Sequence, residues 1–276
     1  MAARAATISG CTSTSNVEAG RRFGIPVSGT MAHSWVMSFP DEVGAFRRFS
    51  EVFGDDAVLL LDTYDTVAAA RSVVAAGLRP RTVRLDSGDL ISLGRSVRAV
   101  LDEGGLRDTR IFMSGDLDEW RIDEIVRAGA PVDGFGVGAA LSTVNDAPSL
   151  GATYKLVEIE RSGVMVPVMK RSTGKQTYPG RKQVWRVFEN GVAIEDVIEL
   201  AGEEFDVPHA RPLLKRVMSG GRRELPSLSL SDVRTRSQVA LAAVPESVRR
   251  VHQPEHYLVR FGSALRAAVD RISGDF

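Results

Sequence analysis

Hydrophobic positions in the first half of the chain follow two alternating patterns. Short apolar or β-branched runs occur at IPVS (25–28), AVLLL (57–61), TVRL (82–85), TRIFM (109–113) and, more weakly, VDGFGV (132–137). Between them lie segments with helical spacing at 40–53, 64–77, 88–105 and 116–129. In 64–77, Val67, Ala70, Val74 and Gly77 fall on one helical face; in 88–105, Leu90, Leu93, Val97, Val100 and Leu101 do the same, with arginines opposite. Single helices between short strands predict parallel pairing through right-handed crossovers, hence an α/β fold. Five such strands predict an incomplete barrel, since a closed (β/α) barrel needs about eight.

After Gly151 the period changes to two. TYKLVEIERSGVMVPVMKRS and KQVWRVFENGVAIEDVIEL each alternate and each is interrupted by a turn pair, Ser162–Gly163 and Asn190–Gly191. These predict two antiparallel hairpins. The expected division is therefore 1–151, a partial α/β barrel, and 152–276, a β-rich portion with a helical, amphipathic tail from about Ser231. STGKQTYPGRKQ, between the hairpins, is a basic loop marked by Gly and Pro; Lys175 and Lys182 are either solvated or phosphate contacts.

Composition narrows the function classes. The 276 residues carry 35 basic and 35 acidic side chains, so no overall field attracts nucleic acid. The arginines from Arg211 to Arg236 read as a solvated loop. No apolar run approaches the roughly 20 residues of a membrane helix, and MAARAATIS has no apolar signal-peptide core. A single cysteine, Cys11, allows no internal disulfide and no cysteine-based metal cage. The simplest compartment is the cytoplasm.

Candidate chemistry gathers where strands should end, the place where parallel α/β folds bind ligands. The run at 25–28 is followed by Gly29, Thr30 and His33. Asp62 and Thr63 follow the second run, Asp86, Ser87 and Gly88 the third, Ser114, Gly115 and Asp116 the fourth, and Gly136 and Gly138 the last. At any one of these positions a helix cap or a turn glycine is the plainer reading; the set of five points to a site. In VRLDSGD, Val83 and Leu85 alternate with Arg84 and Asp86, which places the charged pair on the opposite face, toward a barrel lumen. A structural Arg–Asp ion pair is the alternative there.

Seven stretches in order, TSNVEAGRRFGIPVSGTMAHSW, LLLDTYDT, VRLDSGDL, MSGDLDE, GFGVGAALSTV, PSLGATYKLVE and KQTYPGRKQVWR, resemble the nicotinate phosphoribosyltransferase family over about residues 10–200. The resemblance implies an irregular (β/α) barrel of the type II phosphoribosyltransferase kind, joined to a sandwich domain, with an active site completed in a homodimer. It implies formation of nicotinate mononucleotide from nicotinate and phosphoribosyl pyrophosphate, coupled to ATP hydrolysis and using Mg2+, in NAD biosynthesis. It assigns the phosphorylated histidine to His33 and a place near nicotinate to Thr30. Arg84 falls at the pyridine and Asp86 at the ribose hydroxyls, with Ser87 a further substrate-binding residue. Gly115 and Asp116 fall beside the ribose and pyrophosphate, and Gly136, Gly138 and Thr143 around the 5-phosphate; Asp86 and Asp116 are the expected catalytic carboxylates beside His33. No metal ligand is assigned. The family's pattern carries barrel strands and a nicotinate-contacting tyrosine ahead of the matched region, so a truncated, inactive fragment is the expected alternative, with a nicotinamide or quinolinate enzyme as the other.

Overall fold

The computed structural model describes residues 1–274. The chain divides into two compact units, Met1–Pro148 and a second that begins at Ser149. The first contains α1 (Ala2–Ser9), α2 (Val17–Phe23), α3 (His33–Met37), α4 (Glu42–Phe53), β1 (Val58–Leu60), α5 (Thr66–Ala75), β2 (Thr82–Leu85), α6 (Leu90–Glu103), β3 (Arg110–Met113), α7 (Glu119–Arg127), β4 (Gly134–Phe135) and α8 (Ala139–Thr143). Its four strands form one sheet in the order β1-β2-β3-β4, all parallel, each joined to the next by one helix. This is the α/β arrangement expected, with the barrel open.

The run IPVS is not a fifth strand. Val27 makes only an isolated parallel bridge to Thr14, with Ser28 N donating to the Thr14 carbonyl and Thr14 N to that of Pro26. Pro26 has no N–H to offer a ladder, and its neighbour Val27 is half exposed. His33 therefore starts the short helix α3 rather than ending a strand.

Register explains the core. Leu59, Val83 and Ile111 pair in line, and Leu61, Leu85 and Met113 follow two residues on; all six are fully buried. Each such side chain contributes about 1.5–3 kcal/mol by leaving water. In α6 the buried positions are Leu90, Gly94, Val97 and Leu101, with Leu93 and Val100 packed partly against them. In α5 the buried face is Thr66, Ala69, Ala70 and Val73, one position off the predicted stripe, because Val67 and Val74 sit at its edge.

In the second unit lie β5 (Glu158–Arg161), β6 (Val164–Pro167), β7 (Lys182–Glu189), β8 (Val192–Leu200), β9 (Ala210–Pro212), β10 (Met218–Ser219), β11 (Arg222–Arg223), α9 (Leu230–Ala242), α10 (Glu246–Arg249), β12 (Leu258–Phe261) and α11 (Ser263–Gly274). Both expected hairpins form, β5–β6 and β7–β8. Their turn pairs have positive φ at both residues, 50° and 82° in each case, the handedness that suits strand twist. The main sheet has the order β12-β8-β7-β9 and is mixed: β12 runs parallel to β8, while β7 is antiparallel to both β8 and β9. The tail thus departs from the helical expectation. YLVRF supplies β-forming residues that complete the β8 edge. Nor is α9 amphipathic in effect, since none of its residues is buried, whereas α11 buries Leu265 and Ala268.

Candidate functional site

Beyond the last paired residues the sheet presents a polar row. Leu60, Arg84, Phe112 and Gly134 share one face by register. Two residues further along the same strands come Asp62, Asp86, Ser114 and Gly136. The pairing continues to this level, with Ser114 N donating to the Leu85 carbonyl and Gly136 N to that of Met113. Val83 and Leu85 are buried on the opposite face while Arg84 and Asp86 stay partly exposed, the alternation expected of VRLDSGD.

These carboxylates do not cap helices. The caps lie two or three residues later: Asp65 accepts from Ala68 N, Asp89 from Ile91 N and Ser92 N, and Asp118 from Arg121 N. The capping requirement of α5, α6 and α7 is met without Asp62, Asp86 or Asp116.

Asp86 is the hub. Its Oδ1 accepts from Arg84 Nη2 at 2.5 Å and from Ser114 Oγ at 2.6 Å. Arg84 Nε donates to the same Ser114 Oγ at 2.7 Å. The structural ion pair and the strand-end cluster are therefore one object. The other oxygen, Oδ2, lies 3.6 Å from His33 Nε2. His33 Nδ1 is 3.1 Å from Thr63 Oγ1. Burial raises the Asp86 carboxyl, but the Ser114 hydroxyl, the Arg84 guanidinium and His33 together outweigh it and hold the group below its ordinary value of 3.8. Asp62 Oδ2 accepts from Asp86 N at 3.1 Å and from Ser87 Oγ at 2.5 Å. Its Oδ1 is buried and has no partner among the described residues.

Gly115 has φ 97°, and a Cβ there would come within 1.7 Å of the Asp86 carbonyl oxygen. Only glycine fits this crossing of two strand ends. Gly136 packs close to Phe112 and Ser114. Asp116 is exposed, with φ 46°. Gly138 is the N-terminal boundary of α8 with open space at its Cα, and Thr143 closes that helix, its hydroxyl donating to the Ala139 carbonyl. Thr30 Oγ1 donates to the Val58 carbonyl at 3.1 Å.

Hence the first unit brings together His33, Arg84, Asp86, Ser87 and Gly115, tied to Thr63, Asp62 and Ser114, which sequence placed at strand ends without a role. Lys175 and Lys182 belong to the second unit. Lys175 is exposed, whereas Lys182 Nζ donates to the Tyr178 and Gly180 carbonyls at 2.7 and 2.6 Å, which commits it to the loop backbone. Burial lowers the Lys182 ammonium against the opposing charge of Glu158. Among the described residues no group of three or more His, Cys, Asp or Glu could hold a metal ion, and no helix is long and apolar enough to cross a membrane.

Parallel strands ending in a polar row define an α/β protein of the kind that binds ligands at strand ends. Residues 4–209 match the model of the nicotinate phosphoribosyltransferase (NAPRTase) family, and residues 204–268 match the nicotinate phosphoribosyltransferase C-terminal domain. The chain belongs to the nicotinate phosphoribosyltransferase family. It is 40% identical over 280 residues to nicotinate phosphoribosyltransferase pncB2 of Mycobacterium tuberculosis, covering 99% of this chain and 58% of that one. Against the Bacillus subtilis nicotinate phosphoribosyltransferase it is 39% identical over 288 residues, covering 93% and 59%. The chain thus spans less than two thirds of the length of these relatives. Its structure is similar to that of human nicotinic acid phosphoribosyltransferase, with TM-score 0.76 and 25% identity over 98% of this chain and 66% of that one. It is also similar to the nicotinate-nucleotide pyrophosphorylase of Pyrococcus furiosus, with TM-score 0.71 and 30% identity over 87% and 61%.

Proposed function

We propose that this chain carries the transfer centre of a nicotinate phosphoribosyltransferase, joining nicotinate to phosphoribosyl pyrophosphate and releasing pyrophosphate, with ATP hydrolysis coupled to the step. The observation that carries this reading is the juxtaposition of His33, Asp86 and Arg84 at the ends of parallel strands, inside the stretch that matches the family.

The chemistry suits these groups. Bond breaking at the anomeric carbon develops positive charge on the ribose, and a carboxylate kept ionised beside it stabilises that charge. Asp86, held low by Ser114 and Arg84, is such a carboxylate at neutral pH. Asp116, exposed at the next strand end, supplies a second. Arg84 faces the pyridine carboxylate, Thr30 its ring, and Ser87 the ribose hydroxyls. Gly115, Gly136, Gly138 and Thr143 leave backbone room for phosphate groups. His33 is the phosphoryl acceptor from ATP, since neutral imidazole is nucleophilic. Magnesium would fit as a companion of the substrates' phosphates, held with waters and one or two carboxylates rather than in an all-protein cage; the described residues offer it no cage of their own. A homodimer and a cytoplasmic location complete the reading.

The test is product formation with nicotinate, phosphoribosyl pyrophosphate, ATP and magnesium. His33→Ala is expected to keep slow transfer while losing nicotinate-dependent ATP hydrolysis and phosphohistidine labelling. Survival of both in the variant would remove His33 from this role.

A further inference from the structure

We infer that Asp62 and Thr63, the second and third residues after β1, are positioning residues that together set the approach of His33 to Asp86; the inference rests on the transfer reading above. The two side chains divide the work. Asp62 Oδ2 holds the turn that carries Asp86, through Asp86 N at 3.1 Å and Ser87 Oγ at 2.5 Å. Thr63 Oγ1 holds the imidazole, through His33 Nδ1 at 3.1 Å. One dipeptide thus touches both members of a pair that come from α3 and from the end of β2, and whose facing atoms, His33 Nε2 and Asp86 Oδ2, stand 3.6 Å apart.

The anchorage is rigid. Leu59, Leu60 and Leu61 immediately before the dipeptide are fully buried, so the bracket cannot drift without disturbing the core. Asp62 has no capping duty, since Asp65 performs it. Its Oδ1 is buried without a partner among the described residues, an arrangement that is costly to keep. A residue kept at that cost for folding alone would be better replaced by a neutral one, so its retention fits a function in the site.

Thr63 also selects a tautomer. The phosphoryl-acceptor role needs a free lone pair on Nε2, so Nδ1 carries the hydrogen and donates to the Thr63 hydroxyl. Partners of this kind fix ring orientation at sites that depend on one imidazole nitrogen.

The test uses Thr63→Val, which keeps the shape and removes the hydroxyl, Thr63→Ser, which keeps the hydroxyl, and Asp62→Asn. The chain has four histidines, so the ring nitrogens of His33 can be resolved by 15N NMR on the unliganded protein. Thr63→Val is expected to move the His33 Nδ1 resonance by several ppm. It should lower nicotinate-dependent ATP hydrolysis about tenfold, the equivalent of one lost hydrogen bond, and more steeply than ATP-independent transfer. Thr63→Ser should restore both. Asp62→Asn should lower kcat more than it raises KM in both reactions, because it loosens Asp86. An unmoved Nδ1 resonance in Thr63→Val, or equal losses in Thr63→Val and Thr63→Ser, would overturn the inference. Should Asp62→Asn fail to fold, the two Thr63 variants still decide. A wild-type chain that forms no product would count against the transfer reading, while the imidazole resonance would still report on the bracket.

Discussion

Each unit contains one partly buried arginine–aspartate pair on its sheet, and the two are built differently. In the second unit Arg186 meets Asp196 with two nitrogens, Nε to Oδ1 at 2.8 Å and Nη2 to Oδ2 at 2.9 Å, and the Tyr257 hydroxyl donates to Oδ1 at 3.1 Å. Both carboxylate oxygens are consumed, and Arg186 also lies over the Tyr257 ring. In the first unit Arg84 gives one nitrogen to Asp86 and turns a second to Ser114. Among the described residues the second oxygen of Asp86 faces only the long approach of His33. A closed pair spends its electrostatics on holding β7, β8 and the chain before β12 together; an open pair leaves charge available to a ligand. Charge pairs alone therefore do not mark a site. The valence left over does.

The comparison can be sharpened in descending order of effect. Asp86→Asn should lower turnover about a hundredfold, the scale for losing one preorganised charged group, as read by initial rates of nicotinate mononucleotide formation. Gly115→Ala should come next. The new methyl would overlap the Asp86 carbonyl, and φ 97° is strained for alanine, so a loss of about 3 kcal/mol is expected in denaturant unfolding together with a displaced Asp86. Tyr257→Phe should cost about 2 kcal/mol, one hydrogen bond to a charged acceptor, with turnover unaffected.

The pH limbs separate the two pairs most finely. Tyr257, pushed up to about 12 by burial and by Asp196, holds its proton more tightly folded than unfolded. Its contribution is complete below its ordinary value of 10.0 and fades as pH rises from there toward 12. Tyr257→Phe should remove that alkaline decline in thermal melts. Asp86 has the opposite sign. Its folded value is lowered, so its contribution is present above 3.8 and is lost as pH falls below that. Asp86→Asn should flatten part of the acid limb only.

Much of the first unit was legible from pattern. The β2, β3, α6 and α7 segments pair buried alternation or helical spacing with strong turn signals, and register then follows from parallel crossovers. Two features overrode local pattern. IPVS looks like a strand until Pro26 is counted as a missing donor. YLVRF looks like part of a helical tail because its worth lies in a partner 63 residues away, the β8 edge. At the site, spacing could place Arg84 and Asp86 on one face, but the capping alternative could be resolved only by seeing Asp65, Asp89 and Asp118 take the caps. The roles of Asp62, Thr63 and Ser114 were hidden for a similar reason. Hydrogen bonds between residues 24 to 30 positions apart leave no periodicity in a sequence.

The most direct measurement is a crossed one on Asp86→Asn and Asp196→Asn, reading product formation per folded molecule and the urea-unfolding free energy on the same preparations. The open pair predicts a turnover loss of about a hundredfold for Asp86→Asn with a stability change under about 1 kcal/mol, and the closed pair predicts ordinary turnover for Asp196→Asn with a loss of about 2 kcal/mol. If Asp86→Asn instead unfolds like its counterpart while turning over normally, the polar row at the strand ends is not the transfer site.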